Sequence, residues 1–184
     1  MDSAIDESVS GEQRAAAAAP SLSKRRLEFV LPMLIVALDQ ATKAMVRASV
    51  PVHDSVTIIP GFLDITHALN SGAAFGILNG ADFPYKTMII GFIATAALIG
   101  VGFYAASLSH HQLVARIGLA LIIGGAAGNL IDRVLAGSVV DFVDVYWRTY
   151  HFWAFNVADS AISVGVTMLI LDMLTTGPHV STTV

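Results

Sequence analysis

The chain of 184 residues is 55% hydrophobic and only 13% charged, with a formal charge of −4 and a mean hydropathy of +0.70. A soluble domain carries about 25% charged residues, so this chain has too little polar surface to coat a water-facing globule and reads as a membrane protein. Ten Lys and Arg without a long basic block argue against nucleic acid as a partner, and zero cysteines exclude disulfides, thiolate metal sites, a cysteine nucleophile and lipidation on the chain's own cysteine.

Residues 1–23 are polar, acidic and alanine-rich without a sustained apolar face, and read as a disordered tail. Lys24, Arg25 and Arg26 followed by an apolar run imitate the n- and h-regions of a cleaved leader. The run, however, continues through Asp39, Gln40 and Lys43 in helix-compatible sequence, and no small-x-small site follows it. A retained first span over about 27–46 is the expectation, close to the 20 or so residues a bilayer demands. Alternation of apolar and polar residues over 51–67, with a turn signal at Pro60-Gly61, predicts short strands outside the bilayer. Residues 87–109 contain no Asp, Glu, Lys or Arg and form the clearest span. Further spans are expected over about 113–133 and 152–172.

The fold class is therefore an all-α membrane protein of four transmembrane helices with a small extracytoplasmic β element. Its domain covers 24–176, with external segments at about 49–85 and 134–152 and a second tail at 177–184. The triple basic run beside the first span sets the N-terminus in the cytoplasm by the positive-inside rule, and four crossings return the C-terminus there. Lys43, Arg47, Arg133 and Arg148 lie near the outer ends and pull the other way, so the orientation rests on the first helix.

Ionisable groups inside a bilayer cost at least about 2–3 kcal/mol each, so those present invite a functional reading. Asp39 and Lys43, spaced i, i+4, can pair on one helix face and read as scaffolding. Asn129 shares a face with Asp132 and Arg133; Arg133 reads as reaching a carboxylate or the backbone. Gly124 and Gly128 form a small-xxx-small pair for close helix approach, and no Lys-Ser/Thr follows to make a phosphate loop. Gly72 and Gly76 suggest a bend from which Asn70 presents its amide.

Asp141 and Asp159 differ from these, because neither has a cation close in sequence. Antiparallel packing of the third and fourth helices would bring both to one depth, where two carboxylates in low dielectric share one proton. Asn129 and Asn156 would orient them. Structural or ion-pathway roles stand beside that reading. A metal site from Asp141, Asp144, Asp159 and His151 lacks any HExxH or HxH spacing.

The pieces DQATK (39–43), NSGAAFGIL (70–78), GNLIDR (128–133), GSVVDF (137–142) and FNVADS (155–160), in this order over about 24–172, closely resemble the bacterial lipoprotein signal peptidases, or signal peptidase II. The resemblance implies an aspartic endopeptidase of the bacterial cytoplasmic membrane that needs no cofactor; nothing in the sequence demands a partner subunit, so a monomer is the expectation. It would act on diacylglyceryl-modified prolipoproteins among membrane lipids, cutting before the modified cysteine near the extracytoplasmic face. It further implies Asp141 and Asp159 as the catalytic pair. Asp39, Lys43, Asn70, Gly72, Asn129, Asp132, Arg133, Asn156 and Ala158 would support the site or bind substrate. The substrate-clasping parts would be a sheet over about 50–68 and a helix or loop within about 76–86. The tail of 1–23, Ala154 in place of a common proline, and the extra Asp144 depart from the pattern. Two other classes compete. A proton-coupled transporter or channel would use Asp39, Asp132 and Asp159 as a relay, though four spans without an internal repeat suit alternating access poorly. A membrane adaptor leaves the Asn and Asp pairs unexplained.

Overall fold

The computed structural model describes residues 22–72, 78, 80–81, 83–108 and 112–175. Residues 1–21 of the expected tail of 1–23, the expected tail of 177–184 and, within the clasping segment of 76–86, residues 76, 77, 79 and 82 lie outside the described residues. Four helices, α1 (Leu22–Ser49), α2 (Lys86–Ser107), α3 (Leu113–Ala136) and α4 (Val157–Thr175), accompany four strands, β1 (Ser55–Ile59), β2 (Leu63–Asn70), β3 (Val139–Trp147) and β4 (Tyr150–His151). Each helix is long and apolar enough to cross a membrane. Their outward side chains are large and apolar, Phe29, Phe92 and Met173 among them, as lipid solvent requires.

The central helix α3 packs against the other three, and its small residues explain how. Gly124 and Gly128 face α1: a Cβ on Gly124 would meet Pro32 Cα and Ile35 Cβ at 2.9 Å, and one on Gly128 would meet Asp39 Oδ2 at 2.6 Å. Gly118 and Gly125 face α4, where the carbonyls of Gly165 and Ala158 occupy the space a side chain would need. A bundle in lipid gains nothing from hiding apolar surface and is held by such close backbone approach.

The sheet is antiparallel in the order β1-β2-β3-β4. Gly137, at φ 74°, ends α3 with its N–H donating to Arg133 O (3.1 Å) and turns the chain directly into β3. Val139, Val140, Asp141 and Phe142 are all buried, and Val140 and Phe142 pack on Val46 and Val50 where α1 ends.

Four expectations need correction. Residues 134–152 were expected as an external connecting segment, yet α3 runs to Ala136 and β3 follows, so Asp141 sits on a central strand. The sheet expected from 50–68 is completed by β3 and β4, whose period-2 pattern is hidden because both faces of 139–142 are covered. The fourth helix begins at Val157 rather than about 152. Residues 152–156 are extended alongside β3, with Phe155 O accepting the Phe142 and Val143 N–H groups (3.0 and 2.8 Å) and Phe152 N–H donating to Val145 O (2.8 Å). The first helix starts at Leu22, inside the segment expected as tail, and carries Pro32 in its interior.

Candidate active site

The FNVADS stretch folds as a helix cap. Asn156 Oδ1 accepts the Asp159 N–H (2.9 Å), and Asp159 Oδ2 accepts the Asn156 N–H (3.2 Å). This reciprocal pair satisfies two N–H groups that the first turn of α4 cannot satisfy internally. The cap also serves a second strand. Asn156 Nδ2, fully buried, donates to Asp141 Oδ1 at 2.7 Å and lies 3.2 Å from Asn129 Oδ1. One asparagine thus holds both Asp141 and Asp159.

Asp141 is also reached from β2. Ala68 is its cross-strand partner and Asn70 stands opposite Val139, so Asn70 is the diagonal neighbour on the same face. Its Nδ2 donates to Asp141 Oδ2 (3.1 Å) while its Oδ1 accepts the Gly72 N–H (2.9 Å). The bend after β2 is therefore an Asx turn. Gly76, its other expected glycine, lies outside the described residues. Arg133 Nη2 donates to Gly72 O (2.9 Å) and Nη1 to Asn129 O (3.1 Å), tying that bend to α3. Arg133 reaches backbone, one of the two targets its sequence position suggested.

Asp159 receives Asn129 Nδ2 at 2.8 Å. Beneath it lies a buried ion network. Lys43, with no exposure, contacts Asp39 Oδ2 and Asp132 Oδ2 at 2.7 Å each and donates to Asn129 Oδ1 at 2.9 Å. Asp39 Oδ1 accepts the Ala158 N–H (3.0 Å), placing a carboxylate at the positive end of α4. Arg47 Nη2 meets Asp132 Oδ1 at 2.8 Å, and Gln40 Nε2 lies 3.1 Å from Gly128 O. Sequence reasoning left Gln40 and Arg47 without a site role. Arg47 could have been found, because Asp39, Lys43 and Arg47 follow one another at i+4 on a single helix face.

Burial first and the neighbouring Asp159 charge second push the Asp141 carboxyl up to about 7, against the opposing donors Asn70 and Asn156 and the charge of Lys43. Such an arrangement can keep one proton between two carboxylates, so that one member accepts a proton from water while the other donates. His151 pairs with Asp144 at 2.8 Å, but Asp144 is three residues along β3 from Asp141 and points to the other face of the strand. Among the described residues no three His, Asp or Glu side chains gather as a metal site. Asp39 and Asp132, two members of the conceivable proton relay, are both engaged by Lys43.

Comparison with known proteins agrees with the geometry. The family described as signal peptidase (SPase) II matches residues 31–175. The lipoprotein signal peptidase of Solibacter usitatus is 50% identical over 144 residues, covering 77% of this chain and 86% of that protein. That of Syntrophotalea carbinolica is 41% identical over 150 residues, covering 82% and 92%. A bacterial membrane enzyme solved by the in meso method shares the fold at a TM-score of 0.72 and 35% identity, over 80% of this chain and 87% of that one. A second such enzyme gives 0.71 and 29%, over 82% and 94%. With the matched span running from the first turns of α1 to the end of α4, and every site side chain within it, this chain belongs to the signal peptidase II family.

Proposed function

We propose that this protein removes signal peptides from prolipoproteins, cutting before the diacylglyceryl-modified cysteine, with Asp141 and Asp159 as the catalytic pair. The observation that carries the reading is the single buried Asn156, which caps α4 through Asp159 and donates to Asp141. The ionised carboxylate takes a proton from water as the water oxygen attacks the scissile carbonyl carbon. The protonated carboxyl donates to the carbonyl oxygen. In collapse of the tetrahedral intermediate, one of its hydroxyls returns a proton to the pair as the C=O re-forms, the C–N bond breaks, and the pair gives its other proton to the leaving nitrogen, so that one shared proton remains.

Site geometry favours this use of the two carboxylates. Asn129 and Asn156 hold them in place before substrate arrives, which lowers the cost of reaching the transition state. The acyl chains and apolar signal segment of the substrate supply binding by burial, at a depth set by the spanning helices. The basic run at 24–26 supports cytoplasmic termini and an extracytoplasmic site. The chain acts as a monomer in the lipid of the bacterial cytoplasmic membrane: Asp141, Asp159 and the asparagines that hold them all belong to one chain, so the proposed chemistry calls for no second copy.

The test incubates purified wild type, Asp141→Asn and Asp159→Asn with a diacylglyceryl-modified prolipoprotein, with and without EDTA, and follows product mass. Cleavage before the modified cysteine by wild type, lost in both variants and indifferent to EDTA, is the expected result. Normal turnover by either folded variant removes that residue from the mechanism.

A further inference from the structure

The sheet ends in a cluster of exposed apolar side chains that the site does not use. Trp147 and Tyr150, 69% and 70% exposed, flank the β3–β4 turn, and Trp153, 59% exposed, follows β4. The β1–β2 turn reaches the same end: Tyr146 N–H donates to Phe62 O (2.9 Å) and Gly61 N–H to Tyr146 Oη (3.2 Å). Ile58, Ile59 and Phe62 are exposed there as well. Between the aromatics, Arg148 stands exposed at the tip with a left-handed backbone, φ 59°.

Chain connections fix how far this end can lie from the bilayer. Val157, where a spanning helix begins, lies four positions after Trp153, a reach of about 14 Å at most. The root of β3 is held on the end of α1 through Val140 and Phe142. From Phe142 to Trp147 is about 16 Å of strand, so an upright sheet would carry Trp147 past a headgroup layer of about 5–8 Å. That pose puts this whole group of exposed aromatic and aliphatic side chains in water, which soluble surfaces avoid. A sheet lying along the surface keeps Trp147, Tyr150 and Trp153 at the depth where amphipathic aromatics are enriched, and presents Arg148 to lipid phosphate.

We infer that this aromatic end of the sheet is an interfacial anchor, which lays the sheet on the phospholipid headgroups on the Asp141 side of the bilayer. The occupant is lipid, because these side chains lead within four positions of chain into a spanning helix and place exposed aromatics on either side of the exposed cation Arg148 in sequence. The inference needs only the membrane fold and is independent of the proposed peptidase activity. The anchor holds β3, and so Asp141, at a fixed height above the hydrocarbon.

The chain's two tryptophans are Trp147 and Trp153, so its indole fluorescence reports the patch alone. The full protein is reconstituted in phosphatidylcholine–phosphatidylglycerol vesicles containing lipid brominated either high on the acyl chains or near their methyl ends. Trp147→Phe and Trp153→Phe isolate each indole. Bromines near the headgroups are expected to quench both at least about twice as strongly as deep ones, with aqueous iodide having little effect. Iodide access to either indole without quenching by bromolipid places the patch in water and overturns the inference. Protection from both quenchers means a protein surface covers it, a second copy included, and overturns it equally.

Discussion

Lys43 Nζ and Asn129 Oδ1 are 2.9 Å apart, and because an ammonium only donates, this bond fixes which end of the Asn129 amide faces Asp159. With its oxygen turned to Lys43, Asn129 has only its NH2 left to offer the carboxylate, which it does at 2.8 Å. A buried ion network that looks structural thereby sets the polarity of a contact to the proposed catalytic pair. Replacing Lys43 by Met leaves the amide oriented only by the longer contact from Asn156 Nδ2 (3.2 Å), and leaves Asp39 and Asp132 buried without their shared cation. The second effect costs about 3–5 kcal/mol of stability, to be read from thermal unfolding in detergent micelles. The first weakens a hydrogen bond to a charged group, worth about 1.5–3 kcal/mol, so kcat should fall about 10- to 100-fold in samples verified as folded. Unchanged kcat in folded Lys43→Met would show that the amide orientation does not matter.

The pH response follows from Asp141. Its carboxyl is pushed up to about 7, first by burial and then by Asp159, so in the folded protein it still holds a proton at pH values where an unfolded carboxyl, at about 4, has lost it. The folded state binds the extra proton, and its stability is therefore greatest below about pH 4 with respect to this group. It declines as pH rises from about 4 to 7, and the full cost is present above 7. Asp141→Asn removes the cost, so the variant should gain stability relative to wild type between pH 5 and 8, measured as the difference in Tm at the two pH values. Activity should fall on the alkaline side of about 7, where the pair loses its shared proton. A kcat/KM profile that is flat from pH 6 to 9 would contradict the shared-proton mechanism.

Arg133 bridges two carbonyls from different parts of the chain, Asn129 O on its own helix and Gly72 O on the bend after β2. A lysine there supplies one compact ammonium in place of a planar fork and cannot hold both positions in the same way. Arg133→Lys should loosen the bend that carries Asn70 next to Asp141. The expected result is about a tenfold or greater loss in kcat/KM with only a small change in Tm, roughly the loss of one hydrogen bond to a charged group. Equal losses of stability and activity would instead mark Arg133 as a residue of the fold alone.

Much of this was legible in the sequence because lipid imposes strict rules. Four apolar runs had to become helices, and the polar residues inside them had to find partners. Asp39 with Lys43 and the reach of Arg133 to backbone follow from spacing on one helix. The strand bearing Asp141 was not legible, since Val139–Phe142 is covered on both faces by α1, β2 and the residues around Asn156, which erases the alternation that marks a half-exposed strand. The start of α4 was misplaced for a related reason: Phe152, Trp153 and Phe155 are as apolar as a membrane helix, and only the pairing of Phe155 with Val143 shows that they are extended. The capping signature Asn156-x-x-Asp159 was present in the sequence as a helix start and would have placed that boundary correctly.

Close approach of α3 and α4 gives the last test, because it links packing to the site without touching a charged group. A Cβ at Gly125 would collide with Ala158 O and lie 2.8 Å from Ile162 Cγ1. Ala158 is fully buried, its N–H is held by Asp39, and its neighbour in the chain is Asp159. The carbonyl cannot rotate away as a flexible side chain would, so Gly125→Ala must push the first turn of α4 outward. That movement stretches the 2.8 Å contact from Asn129 to Asp159. Gly91 on α2 provides the control, since a Cβ there meets nothing within 4 Å. Gly91→Ala should leave activity unchanged and add about 0.5–1 kcal/mol of helix stability. Gly125→Ala should lower Tm and cut kcat by about tenfold or more, the order expected for displacing a catalytic group by a fraction of an ångström to an ångström. Wild-type activity in Gly125→Ala would mean that α4 can shift without moving Asp159 relative to Asp141, and the pair would then be held by Asn156 and Asn70 without the Asn129 contact.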